Sequence, residues 1–373
     1  QLLSPKGGAP VSPLSFSFSL PFMVVGLLGG VVTLSSAFTP LLSTCGGLAI
    51  GAAASWHLLC NGRITGISGM VNTLVDPSTV WTQKATQAGF LGALLCSGSA
   101  LSVGAPQVFG APFHASIPAI VLSGVLVGVG TKMGSGCTSG HGVCGLPRLS
   151  MRSAVAVATF MTTGVLASTL KNTVPWLHQW ATVAPGSETL DLSLVTVPEA
   201  PWVTGLLGGG LVGVACLAAL HRASTAATVG TSVMGGAVFG AGLGLSGMTD
   251  KEKVSSFLDP ISAPWDPSLA LVMGGAVSLN LLTFSRILRR ASPLLPTPAG
   301  TPDTFKLPTL QHITAPLVGG SALFGLGWGL HGTCPGPGIV SLGHGGADMW
   351  LWCACMVLGS RLFSTLLQST HSR

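Results

Sequence analysis

Apolar stretches long enough to carry a helix across a bilayer's hydrocarbon core, ~17–25 residues each, recur ten times along the chain. They lie at approximately 16–37, 41–60, 82–103, 115–132, 150–171, 201–221, 228–246, 268–288, 312–330 and 347–368. The connections between them are too short to hold a soluble domain of any size. Backbone at membrane depth must satisfy its own hydrogen bonds, so runs of this kind predict an all-α, polytopic membrane protein.

Charge supports this reading. Only 7% of the 373 residues are charged and 48% are hydrophobic, against about a quarter charged in soluble domains. A soluble protein of this length would not cover its surface, so the lipid bilayer is the first partner. The net charge of +6 comes from scattered basic residues and is no footprint for nucleic acid. Arg286, Arg289, Arg290 and Lys306 crowd the connection before the ninth run. The connection 172–200 carries Glu188, Asp191 and Glu199 without Lys or Arg after Lys171. The positive-inside rule places the first in the cytoplasm and the second outside. With ten spans both termini are then expected in the cytoplasm, and the plasma membrane is the favoured location.

Two blocks repeat in the same order. "NGRITGISGMVNTLVDPSTVW" from Asn61 and "GLSGMTDKEKVSSFLDPISAPW" from Gly244 both run from SGM through a DP pair to a Trp-led helix. Later, "GVGTKMGSGC" and "GLGWGLHGTC" share a GxG pair followed, seven residues after its second glycine, by Cys137 and Cys334. The chain therefore divides into a first membrane half, 16–171, an acidic linker, 172–200, and a second half, 201–368. Five spans in each half give the second half opposite polarity. Such inverted repeats characterise secondary transporters, with the site at the repeat interface. The glycine-rich loops at Cys137 and Cys334 are expected to be re-entrant and to line one passage.

Six of the nine cysteines sit in or beside apolar runs, where cysteine is usually a small hydrophobe; Cys137, Cys144 and Cys334 lie among glycines. Gly136 and Gly140 flank Cys137-Thr138-Ser139, and one of the two is expected to need positive φ or to leave backbone bare for a ligand. Cys137, His141 and Cys144 have the order C-x3-H-x2-C but offer three metal ligands, one short of a structural zinc site; no metal and no cofactor are expected. His141 reads as a donor to loop backbone or ligand. His331, three residues before Cys334, reads equally as a core histidine or a lining one. Arg63 reads as a snorkelling arginine or as a lure for anions. Asp76 and Asp259 read as caps for the Trp-led helices.

The stretches "NGRITGISGM", "GSGCTSGHGVCGLPRLSMRS", "GLSGMTDKEKVSSFLD", "WDPSLALVMGGAV" and "GTCPGPG" resemble the YeeE/YedE family of sulfur-transport membrane proteins. The resemblance implies a compact helical protein whose passage is lined by cysteines that contact thiosulfate through weak S–H hydrogen bonds. Cys137 and Cys334 inherit that role, with Thr138, Ser139, Thr333 and Gly336 beside them. Single-unit members carry a further cysteine in an early GRFC motif; here Thr65 stands in its place. Members made as two half-length proteins show the NGRITGISG form, so this chain resembles such a pair fused. The implied function is passage of a small sulfur oxyanion, thiosulfate first, with a small cytoplasmic sulfur-carrier protein as a further partner. A membrane thiol enzyme is the alternative, and it would want a CxxC or an acid–base partner for its thiol. A general anion or water channel would not explain two matched thiols. No GxxxxGK[ST] nucleotide motif is present.

Overall fold

The computed structural model describes residues 24–25, 31–32, 34–110, 115–182, 201–220, 223–262, 264–295, 304–310 and 312–371. Helices follow one another as α1 (Pro40–Asn61), α2 (Ile67–Val75), α3 (Trp81–Gly104), α4 (Ile117–Met133), α5 (Met151–Thr173), α6 (Pro175–Ala181), α7 (Pro201–Leu220), α8 (Ala223–Leu245), α9 (Lys251–Leu258), α10 (Ser268–Ile287), α11 (Ala315–His331), α12 (Pro335–Leu342) and α13 (Ala347–His371). A π-helical segment, Thr138–Val143, lies between α4 and α5. Among the described residues seven helices are long and apolar enough to cross a membrane: α1, α3, α4 run on through the π-helical segment to Val143, α5, α8, α10 and α13. With α7 and α11 they coincide with nine of the ten expected spans, and the protein is an all-α polytopic membrane protein.

The expected span 16–37 is not a helix where it is described. Val24–Val25 (β1) pairs antiparallel with Val31–Val32 (β2). Paired valines are strong strand formers, and the intervening GLLGG disfavours helix. Residues 34 and 35 then bridge to Trp265, at the start of α10. The acidic residues of the 172–200 linker lie outside the described residues.

Local signals set the helix ends. The Ser116, Ser150 and Thr314 side chains accept from the N–H groups of Ala119, Ser153 and Leu317 at the starts of α4, α5 and α11, as N-caps should. Asp76 and Asp259 do not cap the Trp-led helices. Each instead follows a short helix, α2 and α9, at its C-cap. Asp76 accepts from the N–H and hydroxyl of Ser78. Asp259 accepts from Ser262, Ile261, Thr169 and Asn172, which ties the end of α9 to α5. The two SGM matches are not equivalent in space: Ser68–Met70 lies inside α2, whereas Ser246–Met248 forms the turn before α9. The DP pairs are equivalent, since each closes its short helix.

Packing obeys a two-fold exchange. If α1, α2, α3, α4, the π-helix and α5 are matched with α8, α9, α10, α11, α12 and α13, the main helix contacts have their counterparts. α1 packs on α10 as α8 does on α3; α5 on α11 as α13 on α4; α1 meets α8 and α4 meets α11. The π-helix lies against α1, α5 and α10, and α12 against α8, α13 and α3. Glycines make these approaches close, as is common where membrane helices touch. A Cβ at Gly47 of α1 would enter the Val272 carbonyl of α10, and one at Gly236 of α8 the Phe90 carbonyl of α3. Gly128 and Gly329 do the same at α4–α13 and α11–α5. α7 stands outside the exchange, against α3 and α8.

Candidate functional site

Cys137 and Cys334 occupy equivalent places. Each is the extended N-cap residue of a short helix that follows a long one, with φ/ψ of −124°/−168° and −96°/160°. The turn into the first is made by Ser135, at φ 61°. The turn into the second is made by Gly332, at φ 75°. Neither Gly136 nor Gly140 has positive φ, so that arm of the expectation fails: the left-handed residue is one position before Gly136, and it is a serine. Gly136 is needed for space, because a Cβ there would lie 2.8 Å from the His141 ring; at Gly140 the nearest atom, Gly66 Cα, would be 3.9 Å away.

The two loops meet. The Thr138 hydroxyl donates to Cys334 Sγ at 3.5 Å. One residue further, Ser139 Oγ lies 3.3 Å from Cys137 Sγ and accepts the Ile67 N–H of α2 at 3.1 Å. Thr138, Ser139, Cys334 and Gly336 together border a cavity of about 410 Å³ whose other walls are mainly apolar side chains of α1, α2, α5, α8, α9, α10 and α11, among them Phe160, Phe239, Phe257, Met273 and Trp328. No charged side chain is among its lining residues. Cys334 is 8% exposed, whereas Cys137, at 1%, lies behind Ser139.

The other expected residues surround this core without lining the cavity. His141 is clamped, with Nδ1 3.2 Å from Ser153 Oγ and Nε2 3.1 Å from the Gly134 carbonyl. It holds the loop to α5 and does not face Cys137. Thr65 is fully buried, and its hydroxyl has no hydrogen-bond partner among the described residues. Its carbonyl accepts from Cys144 Sγ at 3.6 Å. His331 is buried, places Nδ1 2.9 Å from Thr333 Oγ1 and stacks on Trp352. Arg63 pairs through its backbone with Lys306, and its carbonyl lies 3.1 Å from His57 Nδ1. Burial lowers the pKa of Arg63, and burial together with the Arg63 charge lowers that of Lys306. Arg148 and Arg152 donate to the carbonyls of Pro308 and His312, so both pin the connection before α11.

Some supporting residues gave no clear signal in the sequence. Asn280 is buried in α10, donates to the Val143 carbonyl at 2.8 Å and accepts from Ser55, anchoring the end of the π-helix. A lone Asn in an apolar run was its only mark. Lys253 and Asp266 form a buried ion pair at 3.2 Å that fixes α9 against the start of α10.

Residues 227–373, from α8 through α13, match a family of unknown function, DUF6691. A probable transporter of Xylella fastidiosa, strain Temecula1, is 41% identical over 124 residues, 33% of this chain and 80% of that protein. A second from strain 9a5c is 41% identical over the same length, with 81% of it covered. Another from Temecula1 is 39% identical, with 89% covered. Each of these relatives is less than half as long as this chain. The chain belongs to the family of these probable transporters.

Proposed function

We propose that this protein is a membrane passage for a small sulfur oxyanion, with thiosulfate as its ligand and uptake into the cell as its direction. The observation that carries the reading is the hydrogen bond from Thr138 to Cys334 at the edge of one cavity. Loops from opposite halves contribute a hydroxyl and a thiol to the same point. A neutral thiol is a weak donor and weak acceptor. It holds a ligand loosely enough to release it, as conduction requires.

Membrane topology supports the reading. Five long helices, α1, α3, α4, α5 and α7, precede α8, so if each crosses, α8 runs opposite to its counterpart α1. The halves are then inverted repeats, and their junction is where transporters place their sites. Relatives less than half as long as this chain accord with a fusion of two half-length units. The basic residues Arg148, Arg152, Arg286, Arg289 and Arg290 fall on one face, which the positive-inside rule makes cytoplasmic. On this reading the C-terminus is cytoplasmic. The expected cytoplasmic N-terminus concerns residues outside those described. The plasma membrane is the proposed location, with a cytoplasmic sulfur-carrier protein as acceptor.

The thiol-enzyme reading is less favoured. Among the described residues no histidine or carboxylate hydrogen-bonds to Cys137 or Cys334. His141 already faces Ser153 and Gly134. The test is growth of a bacterial strain lacking its own sulfate and thiosulfate importers, with thiosulfate as sole sulfur source. Expression of this chain should restore growth, and Cys334→Ala should not. No growth with the intact, membrane-inserted protein contradicts the proposal.

A further inference from the structure

The wall of the cavity includes one tryptophan whose nitrogen donor has no partner among the described residues. Trp328 of α11 lines the cavity and is 2% exposed. Its indole Nε1–H is buried and has no hydrogen-bond partner among the described residues. A buried, unmade hydrogen bond is costly, and such groups need a reason. The ring itself is firmly held. It stacks on Phe324 at 6.2 Å and 5°, and meets Phe160 edge-on at 6.1 Å. Its Cε3 edge packs towards Gly164 of α5. In an indole the N–H lies across the ring fusion from Cε3, so the donor is on the edge turned away from that contact.

Among the described residues Trp328 is also the only one lining the cavity with a side-chain N–H. The remaining polar side chains of the wall are Thr138, Ser139 and Cys334, all neutral. An anion entering here meets donors but no counter-charge. A compact, strongly hydrated dianion would lose its water without compensation. A polarizable anion with a sulfur terminus loses less water and gains from the apolar and methionine-bearing wall.

We propose that Trp328 is a ligand-binding residue, donating its indole N–H to the anion beside Cys334. With the hydroxyls of Thr138 and Ser139 it forms a charge-free donor set that accepts weakly hydrated, sulfur-terminated anions and rejects sulfate. This inference rests on the transport reading above and adds the residue and the rule of selection.

The test is equilibrium binding of radiolabelled thiosulfate to the full chain in lipid nanodiscs, with sulfate as competitor. Trp328→Phe keeps the ring stacking and removes the N–H. It should weaken binding about tenfold or more, the loss expected for a hydrogen bond to a charged group. Trp350→Phe is the control, since Trp350 Nε1 is likewise buried without a partner among the described residues but does not line the cavity; its affinity should equal the wild type. Sulfate in hundredfold excess should not displace thiosulfate. If Trp328→Phe does not fold, 3-benzothienylalanine at position 328 replaces the N–H by sulfur within the same ring shape, and the same loss is expected. Wild-type affinity in either Trp328 variant, or displacement by sulfate, overturns this inference and leaves the transport reading standing. No thiosulfate binding by the wild type overturns both.

Discussion

Thr138 and Cys334, 196 residues apart, are joined by a hydrogen bond of 3.5 Å from hydroxyl to thiol. Each follows from a short helix broken out of a long one. The pair is the point at which the two matched loops touch, and it predicts the behaviour of substitutions there. Thr138→Val keeps the shape and removes the donor. Thiosulfate uptake should fall several-fold, in line with ~0.5–1.5 kcal/mol for one neutral hydrogen bond. Thr138→Ser should retain most of it. Initial uptake rates at equal protein in the membrane make the comparison, and a Val variant as active as wild type would show the contact to be incidental.

Two neighbouring glycines should behave differently. Gly136→Ala pushes a methyl group to 2.8 Å from the His141 ring, which Ser153 and the Gly134 carbonyl hold in place. Overpacking of this kind costs ~1–3 kcal/mol, and the thermal midpoint in detergent should drop. Gly140→Ala has ordinary room, and its midpoint should match the wild type. Equal midpoints for the two variants would mean that the His141 clamp does not constrain the loop.

Helix contact makes a second contrast. Gly128→Ala at the α4–α13 crossing drives a methyl group into the Met356 carbonyl, whereas Gly209 in α7 has nothing within 4 Å of an added Cβ. The first variant should express poorly or run as a broad peak in size-exclusion chromatography. The second should be at least as stable as the wild type, since alanine favours helix by ~1 kcal/mol over glycine. Normal behaviour of Gly128→Ala would argue against the close α4–α13 approach.

The ion pair beneath α9 offers a test of polar anchoring. Lys253 Nζ lies 3.2 Å from Asp266 Oδ2, with side chains 6% and 0% exposed. Lys253→Met leaves a buried carboxylate unpaired and should destabilise by ~3–5 kcal/mol. Adding Asp266→Leu should recover most of that loss. A double variant no more stable than the single one would show that the carboxylate is not the source of the penalty.

Much of this fold is legible in the sequence because bilayer thickness fixes helix length. Nine runs, such as 82–103 against α3 at Trp81–Gly104, need only hydropathy to be found. The run 16–37 failed because hydropathy does not separate strand from helix, and VVGLLGGVV carries a strand-and-turn signal within an apolar stretch. The loops at Cys137 and Cys334 were legible because glycine and thiol recur at matched spacing. Their convergence through Thr138 was not, since a hydroxyl's partner depends on how whole helices cross. Trp328 was hidden for a related reason. In the sequence it is one more aromatic residue in an apolar helix, and only its place on the cavity wall together with an unpartnered N–H sets it apart. The SGM repeat misled, because three residues recur easily among glycine-rich helix ends; the DP pairs, which end helices, kept their place.

The most direct measurement is uptake of radiolabelled thiosulfate into proteoliposomes carrying the purified chain, compared among wild type, Cys137→Ala, Cys334→Ala and Cys216→Ala. The account predicts accumulation with wild type and Cys216→Ala, and strong loss with Cys137→Ala and Cys334→Ala while all four remain monodisperse. Uptake that is equal in all four, or absent from wild-type proteoliposomes, would contradict it.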